Sequence, residues 1–263
     1  MGIFHMIRFY SGEGAPTIFC RNSGSGEMGK LELSGFEDIT FSMRLSCIGY
    51  KSPEGYLPCK NSAINTRQCP TCSALDVSRA YTVGDFSTYP SLYEDAKKEE
   101  YSLYLAGFGE DIIKCGLTRK ERFLSRMVEQ GADFGCIIGS FTGPDEVYSK
   151  EAEIQSRFSF SNSVRLAQKL RRLHFDRGAA SENFRSAVEM VKTSGALPDF
   201  TPEILDLSSH YPRMKAATET DSILGQILGA KGEILLFKSE PGGEYAVNMR
   251  KKVGTHFKWE KDK

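Results

Sequence analysis

The chain has 263 residues with a formal net charge of zero, and 40% of its residues are hydrophobic. This composition supports a buried core and excludes an intrinsically disordered chain. No apolar run approaches the ~20 residues that span a bilayer, and the first residues lack the pattern of a signal peptide, so we expect a cytoplasmic protein. The zero net charge excludes a surface that is basic throughout, although local basic faces can still bind phosphate.

Composition changes along the chain divide it into four segments. Residues 1–45 contain short alternating runs separated by glycine and serine clusters, which is typical of β-hairpins. Residues 46–95 form a cysteine-punctuated element and linker, residues 96–212 contain strand-like and helical runs, and residues 213–263 return to β alternation. The sequence therefore predicts an α+β fold in which a small three-stranded sheet with flanking helices lies between β-rich N- and C-terminal segments.

The helices of the third segment have recognisable start and stop signals. One helix is predicted over 145–158, after a Gly-Pro start, and the next over 163–175, where apolar residues recur at helical spacing. A third is predicted over 180–195, with Ser181 as its cap. A short fourth helix is predicted over 201–211, because a proline lies in its first turn.

Four cysteines of the second segment indicate metal chemistry. They are Cys47, Cys59, Cys69 and Cys72. Cys69 and Cys72 form a C-P-T-C motif, which suits two ligands of a tetrahedral structural Zn²⁺, and the other two cysteines can complete the set. Disulfides and a redox-active CxxC are the alternatives. We expect Cys20, Cys115 and Cys136, which lie on apolar strand runs, to be small buried hydrophobic residues.

A second candidate site lies in the run from Tyr101 to Ala132. It reads as a strand "SLYLAGF", a strand "DIIKCGL", a threonine-containing loop and a helix. Arg122 and Arg126 line one edge of this helix, since residues four apart share a helix face. A third strand in "ADFGCIIGSFTG" and the helix over 145–158 follow.

This order of elements resembles the core of the GIY-YIG nucleases. The first motif of that family would be Ser102-Leu103-Tyr104, and the second would be Lys114-Cys115-Gly116. Three departures accompany the match: serine replaces the first glycine, Lys114 replaces the second tyrosine, and the arginine lies two residues later or earlier than the usual spacing. The resemblance implies a three-stranded nuclease-like core and a requirement for Mg²⁺.

The resemblance also implies a role for each site residue in phosphodiester hydrolysis. That reaction needs a base to activate water, a metal ion to polarise the phosphate and a cation to stabilise the developing charge. Tyr104 would be the base. Arg126 or Arg122 would hold the phosphate, since an arginine fork matches phosphate geometry. Glu153, or in its place Glu151, would be the ligand of a single Mg²⁺.

The implied substrate is DNA or RNA, with Arg119, Lys120 and Arg157 as further phosphate contacts. Ordinary structural explanations remain open for these residues. Tyr104 can be a half-buried strand residue, and the arginines can cover the helix edge. Glu153 and Arg157 can form a surface ion pair at i,i+4 spacing.

The chain as a whole is similar to a family of mainly archaeal and some bacterial proteins known as domain-of-unknown-function family 2797. The similarity rests on "CIGY", "LPCKN", "QCPTC", "IKCGLTR", "RMVEQGADF" and "GAKGEILLF…VNMRKKVG", and it spans most of positions 44–255. It implies a Cys₄ site, a GIY-YIG-like core and a β-rich tail without an established activity. Three functions stay open: a Mg²⁺-dependent endonuclease, a non-catalytic nucleic-acid-binding protein, and a scaffold that binds another protein.

Overall fold

The computed structural model describes residues 2–12 and 14–260. Met1, Glu13 and residues 261–263, which belong to the predicted terminal β segments, lie outside the described residues. The strands are β1 (Gly2–Tyr10), β2 (Thr17–Asn22), β3 (Met28–Glu32), β4 (Phe36–Leu45), β5 (Tyr50–Ser52), β6 (Gly55–Leu57), β7 (Glu100–Phe108), β8 (Ile112–Arg119), β9 (Phe134–Thr142), β10 (Leu205–Asp206), β11 (Thr218–Thr220), β12 (Ser222–Lys231), β13 (Ile234–Lys238), β14 (Glu244–Asn248) and β15 (Thr255–Glu260). The helices are α1 (Pro70–Ala74), α2 (Ser78–Val83), α3 (Pro90–Ala96), α4 (Phe123–Gln130), α5 (Pro144–Phe158), α6 (Leu166–Leu170), α7 (Arg177–Thr193) and α8 (Met249–Lys252), with 3₁₀ helices at Lys120–Arg122 and Ser208–His210.

The chain divides into two compact units. The first unit comprises Met1–Asp85 and Ala217–Lys263, and the second comprises Phe86–Ala216. Within the described residues, the first unit contains a nine-stranded sheet in the order β11-β14-β13-β12-β4-β15-β1-β2-β3. The sheet is mixed because β11 and β14 pair in parallel. The two β-rich ends of the sequence therefore share one sheet.

The hydrophobic core of the first unit lies against one face of this sheet. Met6 and Phe257, from its two ends in sequence, are fully buried in the same cluster as Ile39 and Leu235. Residues that alternate with them along β1 and β15 point to the other face, since successive side chains of a strand face opposite sides. The cysteine-rich segment follows β4 and consists of the β5-β6 hairpin, α1 and α2.

The second unit is built on an antiparallel sheet in the order β10-β9-β7-β8. Helices cover both faces of the central strand β7, so this strand is buried almost throughout. Leu103 on β7 packs in one core cluster with Ile154 of α5 and Phe184 of α7. Tyr104 packs on the opposite face with Phe123 of α4. The strands and helices run β7-β8-α4-β9-α5 along the chain.

The structure corrects three of the predicted helices. The helix predicted over 201–211 is wrong, because β10 pairs there with the edge of β9 and is followed by a 3₁₀ turn. The third helix begins earlier than expected, since Asp176 rather than Ser181 is its cap and accepts a hydrogen bond from the Ala179 amide at 3.1 Å. The helix predicted over 163–175 is reduced to α6.

The prediction of an α+β fold is confirmed by both units. Assignment of the smaller sheet to the GIY-YIG type stays a prediction. None of the helices that the structure describes is long and apolar enough to cross a membrane. The burial of Cys20, Cys115 and Cys136 is confirmed, since each is at most 1% exposed.

Candidate functional sites

The four cysteines predicted to bind metal lie together in the first unit. The cysteine cluster consists of Cys47, Cys59, Cys69 and Cys72, whose sulfur atoms all lie within 4.8 Å of one another. The sulfurs of Cys59 and Cys69 are 3.9 Å apart, and all seven cysteines of the chain are free thiols. Sulfurs on a tetrahedral Zn²⁺ are about 3.8 Å apart, given a Zn–S bond of about 2.3 Å. The donor set and its size therefore fit a metal ion such as zinc.

Local backbone structure brings these thiols together. Cys69 caps α1, where Pro70 occupies the first turn, and its amide donates to the Cys47 sulfur at 3.2 Å. Gly49 has a φ of +79°, and a Cβ there would lie 2.2 Å from the Leu57 carbonyl oxygen. Only glycine tolerates this conformation and close approach, so the loop after Cys47 depends on it.

The environment of the thiols favours a bound cation. Burial raises the pKa of Cys47 and of Cys72, and the neighbouring thiols raise that of Cys72 further. Burial also acts to raise the pKa of Cys59, but hydrogen bonds with the backbone at Ala63 and with Cys47 outweigh it and lower the pKa to about 7. A divalent cation would stabilise all four as thiolates, because metal coordination deprotonates thiols.

A second group of polar side chains lies around the end of α4 in the second unit. The Lys114 cluster consists of Tyr104, Lys114, Arg126, Gln130, Glu151 and Lys169. The Gln130 amide nitrogen donates to the Tyr104 hydroxyl at 2.8 Å, and its amide oxygen accepts from Lys114 Nζ at 2.6 Å. Lys169 Nζ donates to the Gln130 carbonyl at 2.6 Å. Gln130 therefore joins the tyrosine and both lysines.

Tyr104 is sealed in the interior. Its side chain lies over β8, where a Cβ on Gly116 would come within 2.5 Å of the phenolic oxygen. The residue is only 1% exposed. Burial raises its pKa, although the charge of Arg126 and hydrogen bonds from Gln130 and Arg126 oppose that shift. The phenol therefore stays protonated at neutral pH.

Two cations of the Lys114 cluster, Lys114 and Arg126, lie close enough to repel each other. Burial and the charge of Arg126 lower the pKa of Lys114 to about 8, and the charge of Glu151 opposes this shift. Arg126 and Arg122 share one carboxylate, since both pair with Glu129, at 3.6 and 2.9 Å respectively. Burial raises the pKa of Glu151, which the charge of Lys114 opposes. Lys114 thus interacts with one cation, Arg126, and one carboxylate, Glu151, while Arg126 shares Glu129 with Arg122.

Other predicted site residues lie outside this arrangement. Glu153 is exposed and pairs with Lys150 at 2.9 Å, while Glu151, on the same helix, interacts with Lys114 and Tyr104 by charge. Glu151, which the sequence analysis offered in place of Glu153, is therefore the acidic residue that faces the Lys114 cluster. The Arg157 guanidinium donates to the Ser194 carbonyl at 2.9 Å, and its charge also acts on Glu153.

The cations predicted to contact nucleic acid are occupied within the second unit. Arg119 forms an ion pair with Glu99 at 2.5 Å, and Lys120 forms one with Glu100 at 2.7 Å. Both pairs are partly or largely exposed, so each is worth little and an incoming phosphate can compete for the cation. These residues therefore add less to a basic face than the sequence suggested.

Sequence analysis missed Gln130, Lys169 and the sheet contact at Gly116. The sequence did contain a signal for Gln130. Gln130 follows Phe123 and Met127 at helical spacing, so it is a polar residue on the apolar face of α4. Such a residue needs an internal partner. Lys169 carried no comparable signal, because it lies on the short helix α6, 39 residues further along the chain than Gln130.

The two units and their sites define an α+β protein with a four-cysteine cluster able to hold a metal ion. Residues 54–257 match the family model described as Protein of unknown function (DUF2797), and the chain belongs to this family. The match contains the Lys114 cluster and three of the four cysteines, while Cys47 precedes it. No curated protein and no solved structure matches the chain.

Proposed function

We propose that this protein is a zinc-containing nucleic-acid-binding protein whose second unit is built on a GIY-YIG-like core. Zinc is the metal that four closely spaced thiols favour, and closed Cys₄ sites are structural. The ion would be held by the cysteine cluster and would supply folding energy to a segment with few buried apolar residues. The element order β7-β8-α4-β9-α5 supports the proposed core.

One observation carries the proposal of nucleic-acid binding. Lys114 is a partly buried lysine held by Gln130 at 2.6 Å, and burial together with the charge of a second cation, Arg126, lowers its pKa to about 8. Perturbed ionisable groups of this kind concentrate at functional sites. A phosphate group would neutralise both cations, whereas the excess positive charge disfavours Mg²⁺. The cluster is therefore best suited to bind a phosphodiester, and Arg126, whose side chain is 42% exposed, is the part of it that DNA or RNA can contact.

Binding is tested with fluorescently labelled single-stranded DNA, duplex DNA and RNA at two salt concentrations. We expect Arg126→Gln to weaken the binding of the preferred oligonucleotide about tenfold, the effect of losing a charge-assisted contact. Arg185→Gln, which changes an exposed arginine of α7, is the matched control. Wild-type protein that binds none of these oligonucleotides at low salt would refute the proposal, as would equal binding by wild type and Arg126→Gln.

A second candidate function is Mg²⁺-dependent cleavage of the bound strand. The observation in its favour is that Arg126 and Glu151 both act electrostatically on Tyr104, so the candidate phosphate ligand and metal ligand lie near the candidate base. Hydrolysis also requires the Tyr104 hydroxyl to meet water. Its burial in this structure is the reason why binding without cleavage is the preferred function.

Cleavage is tested with the same oligonucleotides in the presence of Mg²⁺ or EDTA. Tyr104→Phe removes only the hydroxyl, and Glu151→Gln removes only the charge. Glu153→Gln is a matched control on the same helix, since Glu153 is exposed and pairs with Lys150. Mg²⁺-dependent products that disappear in the first two variants and persist in the third would establish the nuclease. Absence of products in the wild-type protein would leave binding as the function.

A further inference from the structure

Four basic side chains lie in a row across adjacent strands of the large sheet. His5 on β1 is directly opposite Arg21 on β2 and His256 on β15. Directly opposed residues project their side chains from the same face of a sheet. Arg44, near the end of β4, lies next along the row and acts on His256 by charge. We call these four residues the cationic row.

The cationic row faces away from the hydrophobic core of the first unit. Phe4 and Met6, the neighbours of His5, belong to the core cluster on the opposite face. The neighbour of His256, Phe257, belongs to the same cluster. Strand alternation therefore directs His5 and His256 to the other face, where both contact Ser46, the residue before Cys47.

The two histidines are held in fixed positions by Ser46 and Ser23. The His5 and His256 rings stack with their centroids 4.8 Å apart, and His5 Nε2 lies 3.1 Å from the Ser46 carbonyl oxygen. His256 Nε2 lies 2.9 Å from the Ser46 hydroxyl, and its Nδ1 lies 3.2 Å from the Ser23 hydroxyl. His5 is 4% exposed, so it is buried within the row and contacts His256 by stacking. His256 is only partly buried.

The charges that act on His5 and His256 come from other members of the cationic row, and none of them is a carboxylate. Burial, then the charges of His256 and Arg21, lower the pKa of His5 to about 4, although backbone hydrogen bonds oppose this. Burial, then Arg44 and Arg21, lower the pKa of His256. The Arg21 Nε is buried and has no hydrogen-bond partner among the residues that the structure describes. Orphaned buried donors are rare and require an explanation.

We propose that Arg21, Arg44 and His256, with the hydroxyls of Ser23 and Ser46, form a phosphate-binding site on this face of the first unit. Strands are about 4.8 Å apart, so cations on neighbouring strands can contact different oxygens of one phosphate or of successive phosphates. A phosphate would accept from the guanidinium of Arg21, which is only partly buried, and would offset the repulsion within the row. The phosphate belongs either to a nucleic-acid backbone or to a free anion or mononucleotide. The first of these two sources rests on the proposed function.

Arg21 also has a structural alternative role. Its charge and the thiols of Cys47, Cys59 and Cys72 all act on Tyr56, so Arg21 and the cysteine cluster share this neighbour. It can therefore help to balance metal-bound thiolates as well as bind phosphate. For this reason the decisive variant is Arg44→Gln, because Arg44 is exposed at the far end of the row.

The test titrates zinc-loaded wild-type protein and variants with inorganic phosphate and, separately, with the labelled oligonucleotides. We expect Arg44→Gln to weaken phosphate binding about tenfold, as loss of a charge-assisted contact predicts, with unchanged zinc content. Arg250→Gln, an exposed arginine of the same unit that pairs with Glu233, is the matched control and should bind like wild type. Equal phosphate binding by Arg44→Gln and wild type, or no binding by wild type at millimolar phosphate, would overturn the proposal.

The oligonucleotide titrations identify the source of the phosphate. If Arg44→Gln also weakens oligonucleotide binding and phosphate competes with it, the site binds a nucleic-acid backbone. If Arg44→Gln weakens the binding of inorganic phosphate alone, the ligand is a free phosphate or mononucleotide. Failure of the nucleic-acid proposal for the second unit is distinguishable, because it is read from Arg126→Gln, which leaves the cationic row intact.

Discussion

The Gln130 side chain satisfies two buried groups at once, since it donates to the Tyr104 hydroxyl at 2.8 Å and accepts from Lys114 at 2.6 Å. A glutamine at the end of a helix thus joins two neighbouring strands. The contact also explains why the tyrosine and the lysine can be buried side by side in the second unit. Without it Lys114 would lose the acceptor for its ammonium, and Tyr104 would keep the hydrogen bond from Arg126 but lose the one from Gln130.

Replacement of Gln130 by leucine should therefore destabilise the protein more than its change in size implies. The variant removes one hydrogen bond from the buried Tyr104 hydroxyl and one from the partly buried Lys114 ammonium, and a buried polar group left unsatisfied costs about 1–3 kcal/mol. We expect a loss of about 2–4 kcal/mol in the free energy of unfolding, measured by urea denaturation. Gln155→Leu, which removes one longer hydrogen bond to the Cys115 carbonyl, should cost less. Equal losses in the two variants would contradict this role of Gln130.

Lys114 is expected to reduce stability at neutral pH in the absence of ligand. Burial, followed by the charge of Arg126, lowers its pKa from 10.5 to about 8 in the folded protein. Between these two pH values the unfolded chain binds more protons than the folded chain, so stability rises with pH. The full shift corresponds to about 3 kcal/mol, at 1.36 kcal/mol per pKa unit.

The variant Lys114→Met tests this pH dependence. It retains the apolar stem and removes the ammonium, so it should gain stability relative to wild type at pH 7, by on the order of 1–2 kcal/mol after loss of the hydrogen bond to Gln130. The gain should shrink as the pH rises from 8 to 10.5. Urea denaturation of both proteins across this range measures the difference, and a difference that does not change with pH would show that Lys114 titrates normally.

Local sequence patterns predicted much of the candidate site. The C-P-T-C motif and two further cysteines identified the cysteine cluster, because thiols in such numbers rarely serve packing alone. The helical period also indicates which acidic residue of α5 lies on its buried face. Glu151 lies four residues after Val147 and three before Ile154, both of which are fully buried, so all three share one face of α5. Glu153 lies off that face, and its role as a metal ligand stays a prediction.

Long-range pairing could not be predicted in the same way. The cationic row depends on β15 inserting between β1 and β4, which brings His256 beside His5 across most of the chain. No local pattern determines that register, because each strand alternates in the same manner whichever neighbour it meets. The helix predicted over 201–211 was wrong for a related reason, since pairing of β10 with β9 overrides the local helical signal.

Removal of zinc should unfold the cysteine-rich segment. We expect the purified protein to contain stoichiometric zinc, and chelation to release it with loss of stability, because binding to a structural site contributes folding energy. Cys72→Ser should lose the metal. Cys20→Ala, which changes a buried cysteine outside the cluster, should retain it. Elemental analysis of both variants decides the matter, and equal zinc in Cys72→Ser and wild type would remove the proposed zinc site.

Gly116 is required because the Tyr104 side chain crosses β8 at that position. A Cβ at residue 116 would lie 2.5 Å from the phenolic oxygen and 2.7 Å from the ring carbon that carries it. The ring is buried among Phe123 and its neighbours, so it has little room to retreat. Overpacking of this kind typically costs 1–3 kcal/mol, and we expect a loss of about 2 kcal/mol for Gly116→Ala.

The matched control for Gly116→Ala is Gly29→Ala. Gly29 lies on strand β3, has no heavy atom within 4 Å of its added Cβ, and does not have a positive φ. Because alanine is no worse than glycine in such an open strand position, this variant should be neutral or slightly stabilising. Thermal or urea denaturation compares the two. If Gly116→Ala were as stable as Gly29→Ala, Tyr104 would have to occupy a position other than the one above β8. The Lys114 cluster would then lose the hydrogen bond from Gln130 on which its arrangement depends.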